Sequence, residues 1–322
     1  MTTRTAWFRE VQWGVMTHFL AVPASVNEGS DLTVAEWNAQ VNRFDVKTLA
    51  DQLEAIGAGY FILTLGQTSG YYCSPNATYD EIVGIHPSKC SERDLMADLY
   101  EALAPKGIKL IAYIPSEAPF HDPIAMERLD FSEGVRDGKR VGGQRLASFQ
   151  TKWEAILREW SIRWGKNVAG WWIDGCYSPD DMYRFPEAPN FASFAAALRA
   201  GNPESIIAFN PGVKTPIISI TEHEDYTAGE IANNLPVGIW NKQDFGYKLY
   251  DPEVNGAALH VLTFLGSFWG KGEPRFPDDL VRAYTQYINK MGGVITWDVP
   301  ITGNGHLPES FIKPLSLLRR RD

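Results

Sequence analysis

Acidic side chains follow several apolar runs in this sequence. Asp174 comes directly after an apolar run and before Gly175, so a strand would place its carboxyl group and a turn would leave it accessible. Asp298 ends a later apolar run, and four acids lie between Glu222 and Glu230. Hydrolysis of a glycosidic bond uses two carboxyl groups: an ionised one attacks the anomeric carbon, and a protonated one protonates the leaving oxygen. The chain therefore contains the acids for this chemistry at positions that are far apart in sequence.

Each of these residues also has a purely structural interpretation. Asp174 can cap a helix that follows its strand, and the residue alone does not separate this role from a catalytic one. His18, near the end of the first apolar run, is by default a core histidine, although in a sugar site it would bind hydroxyl groups. The segment from Glu222 to Glu230 is interpreted as a solvated acidic loop with one catalytic member. We expect no metal there, because consecutive acids rarely converge on one ion without a recognised loop pattern.

The elements that must position these residues alternate along the chain. Apolar runs predict strands at residues 11–20, 60–65, 108–114, 168–173, 206–210 and 294–299. Helical periodicity predicts helices at residues 45–56, 91–103 (capped by Ser91), 149–164, 191–200, 278–290 and 310–319. This alternation predicts an α/β fold, an irregular (β/α)8 TIM-like barrel forming one catalytic domain over residues 1–322 without an accessory β-sandwich. A doubly wound open sheet is the alternative, but no glycine-rich phosphate loop follows the first strand.

Composition excludes several classes of function. The chain has 322 residues, 44% of them hydrophobic, and a net charge of −9, which argues against nucleic-acid binding because such proteins present basic surfaces. No apolar run approaches the roughly 20 residues of a membrane span. No signal peptide is evident, so we expect a cytoplasmic protein, or a periplasmic or secreted one if a leader was removed. The 3 cysteines form no disulfide or zinc pattern, the 11 tryptophans suit sugar stacking, and the oligomeric state is not indicated.

Several motifs carry a resemblance to a known family. In chain order, the similar segments are residues 13–24, Glu36-Trp37, residues 58–64, Arg93-Asp94-Leu95, Trp172-Ile173-Asp174-Gly175, residues 225–230, Phe268-Trp269-Gly270 and residues 292–305. In this order and spacing the sequence resembles the retaining α-L-fucosidases of glycoside hydrolase family 29. The resemblance extends from about Trp13 to Leu318.

The resemblance implies an activity and a set of roles. It implies a retaining, exo-acting glycoside hydrolase of the α-L-fucosidase type, with Asp174 as nucleophile, Glu230 as acid/base, a carbohydrate substrate and no cofactor. Glu222 and Glu224 stay open as alternatives for the acid/base, because one extra residue in the segment blurs the register. The expected substrate-binding residues are His18, Glu36, Trp37, Gln67, Thr68, Tyr113, Trp172, Asn210, Trp269, Trp297 and Asp298.

This sequence departs from the family pattern in the substrate-binding positions. The family has two histidines after the second strand where this chain has Gln67 and Thr68, which can still hydrogen-bond hydroxyl groups. The arginine that the family carries after the fifth strand is absent beside Asn210. These departures concern the substrate more than the reaction. Two alternatives therefore stay open: a glycosidase or transglycosylase acting on another sugar, such as a galactose-configured or other deoxy-sugar, and a non-catalytic carbohydrate-binding barrel.

Overall fold

The computed structural model describes residues 3–22, 31–131, 135–136, 139–140, 144–241 and 245–319. Its main strands, numbered here in chain order, are β1 (Trp13–Thr17), β2 (Tyr60–Thr64), β3 (Lys109–Pro115), β4 (Gly170–Asp174), β5 (Ile206–Phe209), β6 (His260–Phe264) and β7 (Val294–Asp298). The helices are α1 (Ala6–Val11), α2 (Val34–Asn42), α3 (Val46–Ile56), α4 (Ala77–Val83), α5 (Leu95–Leu103), α6 (Pro123–Arg128), α7 (Ala147–Trp164), α8 (Pro179–Met182), α9 (Phe191–Leu198), α10 (Asp278–Lys290) and α11 (Glu309–Ser316). Short two-stranded ladders join Val135–Arg136 to Lys139–Arg140, Ile239–Asn241 to Gly246–Lys248, and Glu253–Val254 to Ala257–Ala258.

The seven strands form one parallel sheet in the order β6-β7-β1-β2-β3-β4-β5. Parallel strands connected by helices bury both faces of a sheet, which explains why their sequences are almost continuously apolar. The predicted α/β fold is confirmed, and the sheet curls into an irregular TIM-like barrel.

An irregular segment, residues 225–231, lies between the two edges of this sheet. Its backbone N–H at Asp225 donates to the Ile207 carbonyl of β5 at 2.9 Å. On the other side Tyr226 forms a parallel bridge to Ala258, just before β6, and Glu230 forms one to Leu262 of β6. The Ile231 N–H donates to the Leu262 carbonyl at 2.9 Å. The segment therefore occupies the eighth position of the barrel and places the Glu230 side chain beside the ends of the regular strands.

Alternate residues of each strand belong to two separate cores. One core fills the barrel and includes Met16, Tyr60, Tyr113 and Trp172, with Phe8 of α1 at its base. The other core lies between the strands and the surrounding helices. A residue two positions beyond an inward-facing residue of a strand therefore also faces the barrel axis, and this alternation determines which polar residues can reach the site.

The ends of the predicted helices agree with the structure to within three residues, except in one place. Asp45 and Gly57 bound α3 as expected, the aspartate accepting the Thr48 N–H at 3.0 Å and the glycine having a φ of +80°. The helix predicted from residue 91 begins instead at Leu95, capped by Asp94. The predicted cap was wrong because the hydroxyl group of Ser91 donates to the Arg93 carbonyl at 2.7 Å, within a turn before the helix. No helix of the described residues is long and apolar enough to cross a bilayer.

Candidate active site

Asp174 stands at the carboxyl end of β4, with its carboxylate held by hydrogen-bond donors. Its Oδ2 accepts the Tyr113 hydroxyl at 2.6 Å, and its Oδ1 accepts the Gly175 N–H and the Asn210 Nδ2, both at 2.8 Å. The Tyr177 hydroxyl lies 3.3 Å from the same oxygen. All these donors stabilise the ionised form of the carboxyl group, which is the form that attacks carbon.

Glu230 faces Asp174 through a shared amide. The Nδ2 of Asn210, which is fully buried, lies 2.8 Å from Asp174 Oδ1 and 2.6 Å from Glu230 Oε2. The two carboxyl oxygens therefore cannot be further apart than the sum of these lengths, which agrees with the roughly 5–5.5 Å separation of retaining glycosidases. The Gly212 N–H donates to Asn210 Oδ1 at 3.0 Å, and this contact fixes the amide with its nitrogen toward the acids.

The two acids have different surroundings. Burial and the negative charge of Asp174 raise the pKa of Glu230 to about 7, against the opposing effect of the Asn210 hydrogen bond. Glu230 is thus able to hold a proton near neutral pH, whereas hydrogen-bond donors surround the Asp174 carboxylate. Two carboxyl groups in such different surroundings can act as acid and nucleophile in one reaction.

His18 is positioned by Asp298 at the opposite side of the barrel mouth. Its Nδ1 lies 2.7 Å from Asp298 Oδ1, and the other carboxylate oxygen accepts the Gly270 N–H at 2.7 Å. Asp298 is fully buried, and through these two contacts it fixes both His18 and the loop that carries Trp269. The Trp269 ring lies 6.0 Å from that of His18, centroid to centroid.

A cavity of about 190 Å³ lies between these groups. It is smaller than the roughly 300 Å³ at which pockets for drug-sized ligands begin, and it suits a single sugar ring. Seven of its lining residues were predicted from the sequence: His18, Gln67, Tyr113, Trp172, Asp174, Glu230 and Trp269. The lining residues that the sequence reasoning missed are Met16, Tyr177, Leu262 and Phe268. Met16 was identifiable, because it lies two residues before His18 on the same face of β1.

Gln67 replaces an expected histidine and anchors Tyr113. Its Nε2 donates to the Tyr113 hydroxyl at 2.8 Å, and that hydroxyl donates in turn to Asp174. Burial and the nearby carboxylate raise the pKa of Tyr113, so its hydroxyl keeps the proton that it donates. The Tyr113 ring stacks on Trp172 at 5.3 Å, and Trp172 is tied to the Ala228 carbonyl at 3.1 Å. Thr68 lines a separate cavity next to the first one.

The other acids of residues 222–230 lie outside the cavity. The side chain of Glu222 is 85% exposed and contacts Thr221. Glu224 is buried, and burial raises its pKa to about 8, but its Oε1 faces the Ile220 N–H rather than Asp174. Asp225 pairs with Arg4 at 3.3 Å and Arg199 at 2.5 Å. Of the three glutamates that the sequence left open, the structure brings only Glu230 to Asp174.

Two of the predicted sugar ligands, Asn210 and Asp298, are fully buried and contact lining residues without lining the cavity, and three others lie away from it. Glu36 caps α2 in a reciprocal contact with Thr33 and is exposed. Trp37 is fully buried, and its indole N–H donates to the Tyr72 carbonyl at 3.0 Å. Trp297 is also fully buried and donates to Thr285, because it alternates with the inward-facing Asp298 and therefore points to the outer core. These placements correct the expectation of sugar contacts at the three positions.

Two other features of the described residues do not compete with this site. A groove of about 540 Å³, which contains Glu222 and His223, shares no lining residue with the central cavity and includes neither Asp174 nor Glu230. Within the described ranges, no group of three His, Cys, Asp or Glu residues could hold a metal ion. The cysteines Cys73, Cys90 and Cys176 are buried free thiols.

Comparison with known proteins gives matches among solved structures only. No protein-family model matches the chain, and no curated protein matches its sequence. An endo-fucoidan hydrolase of glycoside hydrolase family 107 matches 98% of this chain with a TM-score of 0.70 at 17% identity, and the chain spans 53% of that protein. The α-L-fucosidase of Lactobacillus casei, solved with α-L-fucose, matches 98% of this chain and 97% of its own, with a TM-score of 0.64 at 16% identity.

A third structure gives the same result. The α-L-fucosidase isoenzyme 1 of Paenibacillus thiaminolyticus matches 98% of this chain and 74% of its own, with a TM-score of 0.60 at 16% identity. Likeness at such low identity establishes the fold. The chain has the catalytic-barrel fold found in these fucosidases and fucoidan hydrolases, and at that level the resemblance indicated by the sequence motifs is confirmed.

Proposed function

We propose that the chain is a retaining glycoside hydrolase of the α-L-fucosidase type, with Asp174 as nucleophile and Glu230 as acid/base. The observation that carries the proposal is the shared contact of both carboxyl groups with Asn210 Nδ2, at 2.8 and 2.6 Å, at the edge of a cavity sized for one sugar ring. Structural ion-pair networks also bring acids together. Here, however, the described residues that line the cavity include no lysine or arginine, and the pKa of one carboxyl group is raised to about 7.

In the first step Asp174 attacks the anomeric carbon of the bound sugar. The bond from that carbon to the leaving oxygen breaks as Glu230 transfers its proton to the oxygen, and a glycosyl ester forms on Asp174. The donors from Tyr113, Gly175 and Asn210 fix the orientation of the nucleophile before attack. This orientation reduces the entropy that must be lost in the transition state.

In the second step the roles of Glu230 reverse. Once Asp174 is esterified it carries no negative charge, and one of the two causes of the raised Glu230 pKa disappears. Glu230, now ionised, takes a proton from water as the water oxygen attacks the anomeric carbon. The Asp174 carboxylate leaves, and the sugar is released with its original anomeric configuration.

The sugar that we propose is α-L-fucose or a relative with the same geometry at C1. Support comes from the fold and from the apolar and polar sides of the cavity. Trp269, Phe268 and Leu262 offer surfaces for C–H groups, whereas His18 and Gln67 offer ring and amide nitrogens to hydroxyl groups. Exo action on a terminal sugar stays a prediction, because a cavity for one ring accommodates a terminal or an inner unit. A carbohydrate is thus the expected partner, with no cofactor.

The experiment is hydrolysis of a 4-nitrophenyl α-L-fucoside by the wild type and by Asp174→Ala. We expect release of nitrophenol by the wild type and none above background by Asp174→Ala, with partial recovery by added azide, which takes the place of the missing nucleophile. Glu222→Gln, an exposed acid of the same chain, is the matched control and should keep wild-type activity. Turnover that survives Asp174→Ala would exclude the mechanism, and glycan binding without turnover by the wild type would favour a non-catalytic barrel.

A further inference from the structure

We propose that the site binds a second, uncharged sugar unit, linked to the unit that Asp174 attacks through a hydroxyl other than that at C1. This inference rests on the proposed glycosidase function and specifies its substrate class. The substrate would be a neutral glycan that is cleaved next to an inner or substituted unit, not one from which only a lone terminal sugar is removed.

A second cavity of about 180 Å³ adjoins the central one and supplies the space. The two cavities share Gln67, Tyr113, Asp174 and Tyr177 as a common wall. The residues that line only the second cavity follow β2 and β3: Thr68, Pro115, Glu117, Ala118 and Phe120. The combined space therefore continues past the nucleophile along one half of the barrel mouth.

The acid/base shows which part of the substrate would enter this cavity. Glu230 and Trp269 line the central cavity and not the second one. Because Glu230 protonates the leaving oxygen, the leaving group lies on the Glu230 side of the sugar. The second cavity is lined by Asp174 and not by Glu230, so it is placed to receive a group attached to the remaining hydroxyl groups of the attacked unit rather than the leaving group. A sugar attached there would be carried onto the enzyme in the covalent intermediate.

The second cavity is built by a loop that backbone contacts hold in place. The Ser116 N–H donates to the Asp174 carbonyl at 2.7 Å, and the His121 N–H donates to the Thr68 carbonyl at 2.9 Å. The indole N–H of Trp153 secures the Pro115 carbonyl at 3.0 Å. A fixed wall of this kind preorganises a binding site, because little conformational entropy is lost when the ligand binds.

The chemistry of this wall suits sugar hydroxyls. Glu117 is only 4% exposed and presents carboxylate oxygens, which are strong acceptors for hydroxyl donors. Thr68 offers a hydroxyl group, and the half-buried ring of Phe120 offers an apolar face. This combination of a polar acceptor and an aromatic face is typical of a sugar-binding surface.

The charge of the described lining disfavours an acidic sugar. It carries three carboxyl groups, those of Asp174, Glu230 and Glu117, and among these described lining residues there is no lysine or arginine. A sulfated or uronic-acid unit would be desolvated beside these carboxyl groups, with no lysine or arginine of the described lining to pair with it. We therefore infer that the second unit is neutral.

The test compares 4-nitrophenyl α-L-fucoside with the 4-nitrophenyl glycosides of 3-linked and 4-linked fucobiose. For the wild type we expect kcat/KM about tenfold or more higher on at least one of the disaccharide substrates, with the intact disaccharide as the first product by mass spectrometry. In Glu117→Gln the ratio of disaccharide to monosaccharide kcat/KM should fall about tenfold, since a hydrogen bond to a charged acceptor becomes one to a neutral group. Thr68→Val, a change of similar size, should lower the same ratio by a smaller factor.

The matched control is Glu127→Gln, which removes an exposed carboxylate from the helix after the same loop and should leave the ratio unchanged. Hydrolysis of the monosaccharide substrate, with the disaccharides cleaved no faster or only from their terminal end, would overturn the second-unit proposal and leave the glycosidase function intact. Failure of all three substrates would contradict the glycosidase function itself. A sulfated fucobioside cleaved faster than the neutral one would overturn the inference of a neutral unit.

Discussion

Two glutamates near opposite ends of the segment from Glu222 to Glu230 have similar pKa shifts but different contacts. Glu224 is buried and Glu230 half-buried, and desolvation raises the pKa of each, to about 8 and about 7 respectively. Glu230 shares an amide donor with Asp174 across a cavity. Glu224 faces the backbone of Ile220 and lines no part of that cavity. A raised pKa therefore does not identify an acid catalyst unless a second carboxylate lies opposite to it.

The two glutamates differ because they lie at different heights along residues 225–231, the segment that occupies the place of the eighth strand, and just before it. Asp225 is fixed at the lower end by Arg4 and Arg199. From there Tyr226, Ala228 and Glu230 alternate into the barrel, the first two within the inner core and the last above it. Only the residue at the upper end reaches the level at which β4 ends with Asp174. Substitutions at one end of the segment, at the other end, or in the connection between them therefore have separable effects.

The largest expected effect comes from Glu230→Gln. Loss of the acid should lower kcat/KM by about 10²–10⁴ on glycosides with poor leaving groups and by less on nitrophenyl glycosides, whose leaving oxygen needs little protonation. In the wild type, activity should fall as the pH rises through about 7, because the required proton is lost from Glu230. The alkaline limb should be absent from the pH profile of the variant. An unchanged profile would assign the acid elsewhere.

Gly229→Ala should displace Glu230 by disturbing the backbone next to it. Gly229 has a φ of +64°, and a Cβ there would lie 1.9 Å from the His260 carbonyl oxygen. We expect destabilisation by about 2–3 kcal/mol, in the range of strained backbone positions, with loss of the Glu230 position even where the protein folds. Urea unfolding measures the first effect. Gly303→Ala, at a glycine with no heavy atom near the added Cβ, is the control and should change little.

Asn210→Ala removes an amide that hydrogen-bonds to both acids. We expect kcat to fall about 10–100-fold, because both carboxyl groups lose a charge-assisted hydrogen bond. The Asn210 hydrogen bond lowers the pKa of Glu230, so the alkaline limb of the pH profile should move to higher pH in the variant. A shift to lower pH would contradict the assigned role of this amide.

The smallest expected effect on activity belongs to Glu224→Gln, which should stay within about twofold of the wild type. Its effect should be on stability. The pKa of Glu224 is about 8 in the folded protein and near 4.5 when exposed, so the folded state binds more protons between these values and loses stability as the pH rises through that window. The difference in Tm between variant and wild type should therefore grow in favour of the variant from about pH 5 to pH 8. A constant difference would indicate that Glu224 does not titrate in this range.

Local sequence patterns determined six of the seven strands of the sheet and six of the eleven described helices, together with strand ends where the chemistry lies. Apolar runs and their period are set by neighbouring residues, and a parallel arrangement places all strand ends at one face. Asp174 was identified in this way as the best candidate for a nucleophile. The alternation along each strand also contained information that was not used: Trp297 alternates with Asp298, and only one of the two can point inward.

The tertiary structure alone decided which glutamate meets Asp174. That choice depends on the register of an irregular segment against β5 and β6, and a single inserted residue changes the register without altering local composition. It also decided that Glu36 caps a helix and Trp37 fills the core, because both outcomes depend on contacts with residues distant in sequence, such as Tyr72. Residue types and periodicity are local properties of the chain, whereas the distance between two carboxyl groups exists only once the barrel has closed.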